Sequence, residues 1–345
     1  MGRRVVQVPR DGQPRLDLFS YGRPGPHASI QLSRAQREQI ARTVGRVPEV
    51  MVKVTGGGTD IGAVRAHLAY ISRHGKEPVE MDDGQQAQGK DAVKALLKDW
   101  HLNLSRGQYR RADKGRPQPR ALKLVQNIVL SMPAPTLPKK VMAAAQRFAR
   151  EKFGLEHRYA MVLHTDQKHP HVHLVVKAEG LHGRKLHIDK AMLREWREDF
   201  ARLMREEGVA ANASRRVVRG RSGGAKRDEI LRARLAGHST VMRERVISVA
   251  QELAKTGTIK DPAKKKLLET RRAVVADWMQ TAETLDRQGE DALAEQVRAF
   301  VRNMPPVRTE REQMAYGLIQ SMKLSRSKAA IDPNSDLAVN DYPAR

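Results

Sequence analysis

Cysteine is absent from the 345 residues. That excludes disulfides, thiolate metal ligands and a cysteine nucleophile, and it fits a reducing compartment. Aromatic residues are scarce, with three Trp, six Tyr and five Phe. Stacking on the bases of a single-stranded nucleic acid is therefore limited to a few points. No apolar run is long enough to span a bilayer. The opening Met1-Gly2-Arg3-Arg4-Val5-Val6-Gln7 leads into a polar, Pro-rich stretch. Neither membrane insertion nor a secretory leader is expected. Acidic residues are in deficit too: 39 Asp plus Glu face 64 Lys plus Arg, a formal charge of +25. Such an excess favours a polyanion, nucleic acid first and an anionic membrane surface second. With few aromatics, Arg contacts to the phosphate backbone should dominate.

Histidine, by contrast, is concentrated. Seven of the twelve histidines lie between His157 and His187, and four of them fall in the stretch His164-Thr165-Asp166-Gln167-Lys168-His169-Pro170-His171-Val172-His173. Tyr159 to Leu163 and Val172 to Lys177 flank it and read as two β-strands. Side chains alternate faces along a strand, so His171 and His173 point one way and Val172 and Leu174 the other. If the two strands are neighbours, His164 meets that pair. Three imidazoles converging on one sheet face have the form of a metal site with open positions for water or substrate. Without a metal or an anion, such a cluster would be opposed by repulsion as soon as more than one ring charged. All-imidazole ligation suits Zn2+ or Mn2+ better than Mg2+.

Taken in order, residues 1–48 read as a basic, weakly ordered arm punctuated by Pro9, Pro14, Pro24 and Pro26. A short helix over Leu32–Val44 is expected to be solvated, given its charges and glutamines. Val50–Val54 is a strand that enters Thr55-Gly56-Gly57-Gly58-Thr59-Asp60. The backbone N–H groups of Gly57, Gly58 and Thr59 could hold a phosphate, and Thr59 or Asp60 could cap the next helix. A bare glycine turn serves equally well as a turn alone, and the Lys of a nucleotide-binding loop is missing.

The spacing predicts a helix over Ile61–Arg73, with Val64, Leu68 and Ile71 as its packed stripe. Ala63, Ala66, His67 and Tyr70 lie on an adjacent face. Tyr70 precedes Ser72-Arg73-His74-Gly75-Lys76. A tyrosyl oxygen beside cations is what phosphoryl transfer to tyrosine needs. A Tyr packed at a helix end with its hydroxyl in water is the other reading. Glu77–Gly89 reads as a loop and Lys90–His101 as a short helix. The loop Ser105–Arg116, with Tyr109, Arg110 and Arg111, is basic enough to await a polyanion.

Leu122–Leu130 is the next strand. Ser131 stands at its end, where a hydroxyl can meet a phosphate or serve the turn. Thr136 is expected to cap a helix that has Pro138 in its first turn and runs to about Phe153, and another helix is expected over Lys190–Glu206, capped by Asp189. His187 could extend the metal or phosphate site, with a surface residue as the preferred reading. Arg215, Arg216 and Arg219 lie in a basic segment that marks a boundary. Beyond it, Lys226–Leu253, Pro262–Asp286, Asp291–Asn303 and Thr309–Ser321 read as four helices without a chemical constellation. The expected organisation is an arm (1–48), a catalytic domain (49–222), an all-helical domain (223–326) and a tail (327–345).

These segments, in this order, resemble the conjugative relaxases of the HUH endonuclease superfamily. The nearest pattern is the MobP group, which includes the endonuclease of T-DNA borders. The resemblance covers roughly Val50–Gly220. It rests on Gly56-Gly57-Gly58-Thr59, Leu68-Ala69-Tyr70-Ile71-Ser72-Arg73-His74-Gly75, Val129-Leu130-Ser131-Met132-Pro133-Ala134, His164-Thr165-Asp166 through His173, and Ala213-Ser214-Arg215-Arg216 with Arg219-Gly220.

It implies an α/β (α+β) fold with a mostly antiparallel central sheet flanked by helices. It implies a nicking-closing transesterase that cleaves single-stranded DNA at an origin of transfer. Tyr70 would be the nucleophile and form a 5′-phosphotyrosyl intermediate, and Ser131 would hold DNA near the break. His164, His171 and His173 would bind a divalent cation, Mg2+ or Mn2+ with Zn2+ as the other candidate. Asp166 and His169 would orient ligands or help move the tyrosyl proton. Arg73, Lys76, Arg110, Arg111, Arg215, Arg216 and Arg219 would hold the DNA backbone. The implied partners are an accessory nicking protein and a type IV coupling protein. The implied setting is the bacterial cytoplasm, with passage into a recipient cell alongside the DNA. A rolling-circle replication initiator, a metal nuclease using water and a non-catalytic DNA-binding protein remain as alternatives.

Overall fold

The computed structural model describes residues 31–102, 123–221 and 240–331. The chain divides into two compact units, Phe19–Ser214 and one that includes Arg215–Arg345. Arg110 and Arg111 lie outside the described residues.

The first unit is built on a six-stranded sheet. Its strands are β1 (Met51–Gly56), β2 (Val79–Met81), β3 (Gln86–Ala87), β4 (Val125–Ser131), β5 (Tyr159–His164) and β6 (His171–Lys177). The order is β1-β4-β6-β5-β2-β3, and every neighbouring pair is antiparallel. The helices are α1 (Arg34–Val44), α2 (Ile61–Ile71), α3 (Lys90–Asp99), α4 (Pro138–Phe153) and α5 (Lys190–Glu206). The fold expected from the sequence is the one observed: a central antiparallel sheet with helices on it, followed by a helical region.

Alternation along the strands sorts the side chains into two cores. Val52, Ile128, Leu130, Met161, Val172, Leu174 and Val176 meet Val141, Phe148 and Phe153 of α4 and Trp196 and Phe200 of α5. The opposite faces, Val125, Ala160, Val162 and Val175, meet Val64, Leu68 and Ile71 of α2 and Val93, Leu96 and Leu97 of α3. Each of these large apolar side chains contributes roughly 1.5–3 kcal/mol by leaving water. The sheet is thus sealed on both sides, and the site is left at one end of its strands.

Two expectations are corrected. The stretch expected as a loop, Glu77–Gly89, holds the hairpin β2–β3, which pairs with β5 through Glu80↔Met161 and Met81↔Ala160. The strands are too short to show periodicity. The middle residue of β2 is an acid, Glu80, buried because Gln86 and Gln146 donate hydrogen bonds to its carboxylate. The helix expected to be solvated, α1, is packed: Ile40 is 1% exposed, and Gln39 and Thr43 are buried. Asn212 donates to the Thr43 hydroxyl at 3.1 Å. Ser33 and Gln36 form a reciprocal cap at the helix start.

In the second unit, α6 (Thr240–Thr256), α7 (Ala263–Arg287), α8 (Asp291–Arg302) and α9 (Glu310–Ile331) are helical. Val274, Trp278 and Leu285 form a buried stripe on α7. Trp278 stacks edge-on against Phe300 of α8, with ring centroids 5.3 Å apart. Its indole N–H donates to the Val218 carbonyl at 2.7 Å. Among the described residues, no helix is long and apolar enough to cross a membrane.

Candidate metal centre and nuclease site

The two histidine strands are direct neighbours. The register pairs His164 with His171 and Val162 with His173. On the other side of β6, Ser131 pairs with His171 and Val129 with His173. His164, His171, His173 and Ser131 therefore share one sheet face, the face of α2 and α3. The histidines sit just past the point where Val162 and Val175 end the apolar packing. One nitrogen from each of His164, His171 and His173 lies within 4.8 Å of the others. Their ring centroids are 4.6–5.2 Å apart.

Hydrogen bonds fix the tautomers. A carbonyl can only accept, so His164 Nε2–H donates to the Ile71 carbonyl at 2.6 Å. His171 Nδ1–H donates to the His169 carbonyl at 3.1 Å. A neutral imidazole carries one N–H and one lone pair. His164 keeps its Nδ1 lone pair and His171 its Nε2 lone pair for a cation, the usual second-shell arrangement of ligating histidines.

Charge points the same way. Burial, reinforced by His164, His171, His67 and Arg73, pushes His173 down to about 3. Burial likewise lowers His171. Both rings stay neutral near pH 7 and offer lone pairs. This donor set can hold a divalent cation, and it does not by itself select among Mg2+, Mn2+ and Zn2+.

The bond to Ile71 also brings α2 to the cluster. Tyr70, the preceding residue, is 54% exposed. The Arg73 guanidinium lies over its ring, 5.9 Å from the centroid. α2 ends earlier than expected, at Ile71, with Ser72 as its cap. Arg73, His74 and Gly75 then all take positive φ, at 52°, 58° and 87°. Two side-chain-bearing residues in the left-handed region are strained. A Cβ at Gly75 would run into the Gly89 backbone. Arg73 is held by a hydrogen-bonded ion pair to Asp166. Desolvation pushes the Asp166 carboxyl up, but Arg73 with a backbone hydrogen bond and His164 brings it below the usual carboxylate range.

The remaining expected site residues separate. Ser131 is 5% exposed, and its hydroxyl donates to the Pro170 carbonyl at 3.2 Å, bracing the start of β6. His169 stands outside the trio: its Nδ1 accepts the Ala134 N–H at 3.0 Å, which ties the loop after β4 to the histidine loop. Lys76 is exposed, and its carbonyl accepts from Gln88. Gly57 and Gly58 have a packing reason to be glycine. A Cβ at Gly57 would fall on the Val125 carbonyl and one at Gly58 on Val64. Thr59 is exposed, and Asp60 is the cap of α2, accepting from the Ala63 N–H at 2.8 Å. Arg215 and Arg216 are exposed and Arg219 half-buried, all three in the other unit. His67 stands beside the trio and was singled out in the sequence only as a face-mate of Tyr70. Its three-residue spacing from Tyr70 is the signal that could have found it.

Residues 70–209 match the family model for relaxases, MobA/VirD2-like, nuclease domain, a match that begins at Tyr70. The chain is similar to the T-DNA border endonuclease VirD2 of Agrobacterium fabrum, 26% identical over 191 residues, covering 50% of this chain and 41% of the relative. It is also similar to the VirD2 of Rhizobium rhizogenes, 27% identical over 191 residues, covering 50% and 42%. The chain thus spans less than half the length of these curated relatives. Sequence match, antiparallel sheet and histidine cluster agree that residues 70–209 form a domain similar to the nuclease domain of the MobA/VirD2-like relaxases.

Proposed function

We propose that this chain is a site- and strand-specific relaxase that nicks single-stranded DNA at an origin of transfer and rejoins the ends afterwards. The observation that carries the reading is the hydrogen bond from His164 to Ile71. It sets a three-imidazole cluster against the helix end that bears an exposed tyrosine.

The Tyr70 oxygen attacks the scissile phosphorus. A P–O bond to tyrosine forms, and the P–O bond to the departing 3′ oxygen breaks. The tyrosyl proton leaves, and the 3′ oxygen takes one up. The product is a 5′-phosphotyrosyl protein and a free 3′ hydroxyl. The phosphodiester energy is conserved, so the same site can run in reverse. His164, His171 and His173 would hold a divalent cation. When bound, the cation polarises the scissile phosphate and offsets charge on its oxygens.

Arg73, over the Tyr70 ring and paired with Asp166, holds the nucleophile's turn and a DNA phosphate. Asp166 orients Arg73. Its lowered pKa makes it a weak base, so positioning suits it better than proton abstraction. His169 and Ser131 hold the loops that frame the histidines. Lys76, the turn at Gly57, Gly58 and Thr59, and the basic residues Arg110, Arg111, Arg215, Arg216 and Arg219 track the DNA backbone.

The nuclease work belongs to residues 49–222, and the helical part 223–326 has a separate role. An accessory nicking protein and a type IV coupling protein complete the system, in the bacterial cytoplasm and, with the DNA, in the recipient. The test is cleavage of labelled single-stranded oligonucleotides from the element's own transfer origin, with Mn2+ or Mg2+ and with EDTA. Metal-dependent cleavage with label retained on the protein supports the reading. Cleavage without attachment would make it a water-using nuclease, and binding without cleavage a DNA-binding protein.

A further inference from the structure

The relaxase reading leaves unused an imidazole that stands against the histidine trio, that of His67. His67 lies on α2 three residues before Tyr70, so the two share a helix face. Its ring meets His173 edge-on, with centroids 6.3 Å apart. That is wider than the 4.6–5.2 Å that separates the sheet histidines from one another. Its Nε2 is shielded from solvent and has no hydrogen-bond partner among the described residues. Buried polar atoms in native proteins are almost always satisfied, and the exceptions call for an explanation such as a bound water or ion. Burial lowers the His67 pKa, so the ring is neutral near pH 7.

We propose that His67 is a positioning residue of the metal centre, its Nε2 hydrogen-bonding an oxygen ligand, a water when DNA is absent, that the three sheet histidines leave room for. The inference rests on the metal-centre reading above. The wider spacing suits a bond across one oxygen and not a place in the inner set. The sheet then supplies three imidazoles and the nucleophile's own helix the fourth. His67 and Tyr70 ride on the same helix, so whatever moves Tyr70 relative to the histidines also moves this fourth contact.

The test is calorimetric titration of the metal-free full chain with Mn2+, without DNA, comparing wild type, His67→Ala and His67→Gln. Outer-shell partners of metal ligands typically account for about 10–100-fold in affinity. His67→Ala should weaken Mn2+ binding by at least about tenfold. His67→Gln places an amide near the Nε2 position and should recover most of that loss. His67→Leu fills the space without a polar atom. It carries the same expectation as His67→Ala should the smaller side chain unfold the protein.

Wild-type affinity in both His67→Ala and His67→Leu would overturn the inference and leave the three-histidine centre standing. Equal loss in His67→Gln and His67→Ala would also overturn it, because the ring would then be an inner ligand or plain packing. If the wild-type protein took up no Mn2+, the centre itself would fall, and His67 with it.

Discussion

His164 donates from Nε2 to the carbonyl of Ile71 across 2.6 Å, so a residue at the end of β5 fixes the end of the helix that carries Tyr70. Two functions meet in one ring: one nitrogen holds the backbone beside Tyr70, and the other faces His171 and His173. Replacing His164 by Ala removes both. It should lower stability by roughly 1–3 kcal/mol, because the buried carbonyl loses its donor. It should also abolish tight Mn2+ binding. His164→Asn can keep a donor near Ile71 and should recover part of the stability without the metal affinity. Urea unfolding and metal titration, run on both variants, check this. Equal metal binding in His164→Asn and wild type would sink the ligand assignment.

The low pKa of His173, about 3, makes the metal-free protein acid-sensitive. The ordinary value is 6.5, so at pH values between the two the unfolded chain takes up a proton that the folded chain refuses. Stability is therefore complete above the ordinary value and drains away as pH falls towards the folded one. His171, lowered in the same direction, adds to the slope. The urea midpoint of the metal-free protein should fall between about pH 7.5 and about pH 5, and fall less in His173→Gln. Parallel slopes in the two proteins would contradict the account.

Arg73 and Asp166 should matter to chemistry more than to folding. Their ion pair is partly exposed, and such pairs are worth about 0–1 kcal/mol. Arg73→Ala should leave the urea midpoint nearly unchanged and slow DNA cleavage by about tenfold or more, the scale of a lost phosphate-clamping contact. Arg73→Gly relieves the positive φ at that position and should be at least as stable as Arg73→Ala. Cleavage rates and unfolding curves on the same preparations decide it. A large stability loss with unchanged cleavage would make the pair structural.

Gly57 and Gly58 separate a packing role from a phosphate-holding one. Gly57→Ala meets the Val125 carbonyl and Gly58→Ala meets Val64. Overpacking of this kind costs about 1–3 kcal/mol, so both should unfold at lower urea. A fall in DNA affinity without any change in urea midpoint would make holding the DNA backbone, and not packing, the reason for glycine at these positions.

The site was readable where chemistry and periodicity coincide. His171 and His173, two apart on a strand of Val and Leu, declared both the strand and its inward face. The pairing of β5 with β6 then delivered His164 as expected. α5 was equally open: Asp189 caps its start, and Trp196, Phe200, Leu203 and Met204 recur at helical spacing on its buried face. The hairpin β2–β3 was hidden because its strands are too short for a pattern and its buried residue, Glu80, is an acid satisfied by Gln146 from far along the chain. The packing of α1 was hidden for a similar reason: its buried polar residues, Gln39 and Thr43, look solvated until Asn212 arrives. The roles of Ser131 and His169 in bracing loops depend on Pro170 and Ala134, contacts that no local spacing announces.

The most direct measurement is covalent capture. Tyr70 is 54% exposed and, apart from Arg73 over its ring, has little packing to lose. Tyr70→Phe should therefore fold and bind DNA as wild type does, within about 0.5 kcal/mol in stability. Labelled single-stranded transfer-origin DNA is incubated with each protein and Mn2+, then run on a denaturing gel. Label is expected on the wild-type protein, none with EDTA, and none on Tyr70→Phe. A metal-dependent adduct persisting on Tyr70→Phe would contradict it.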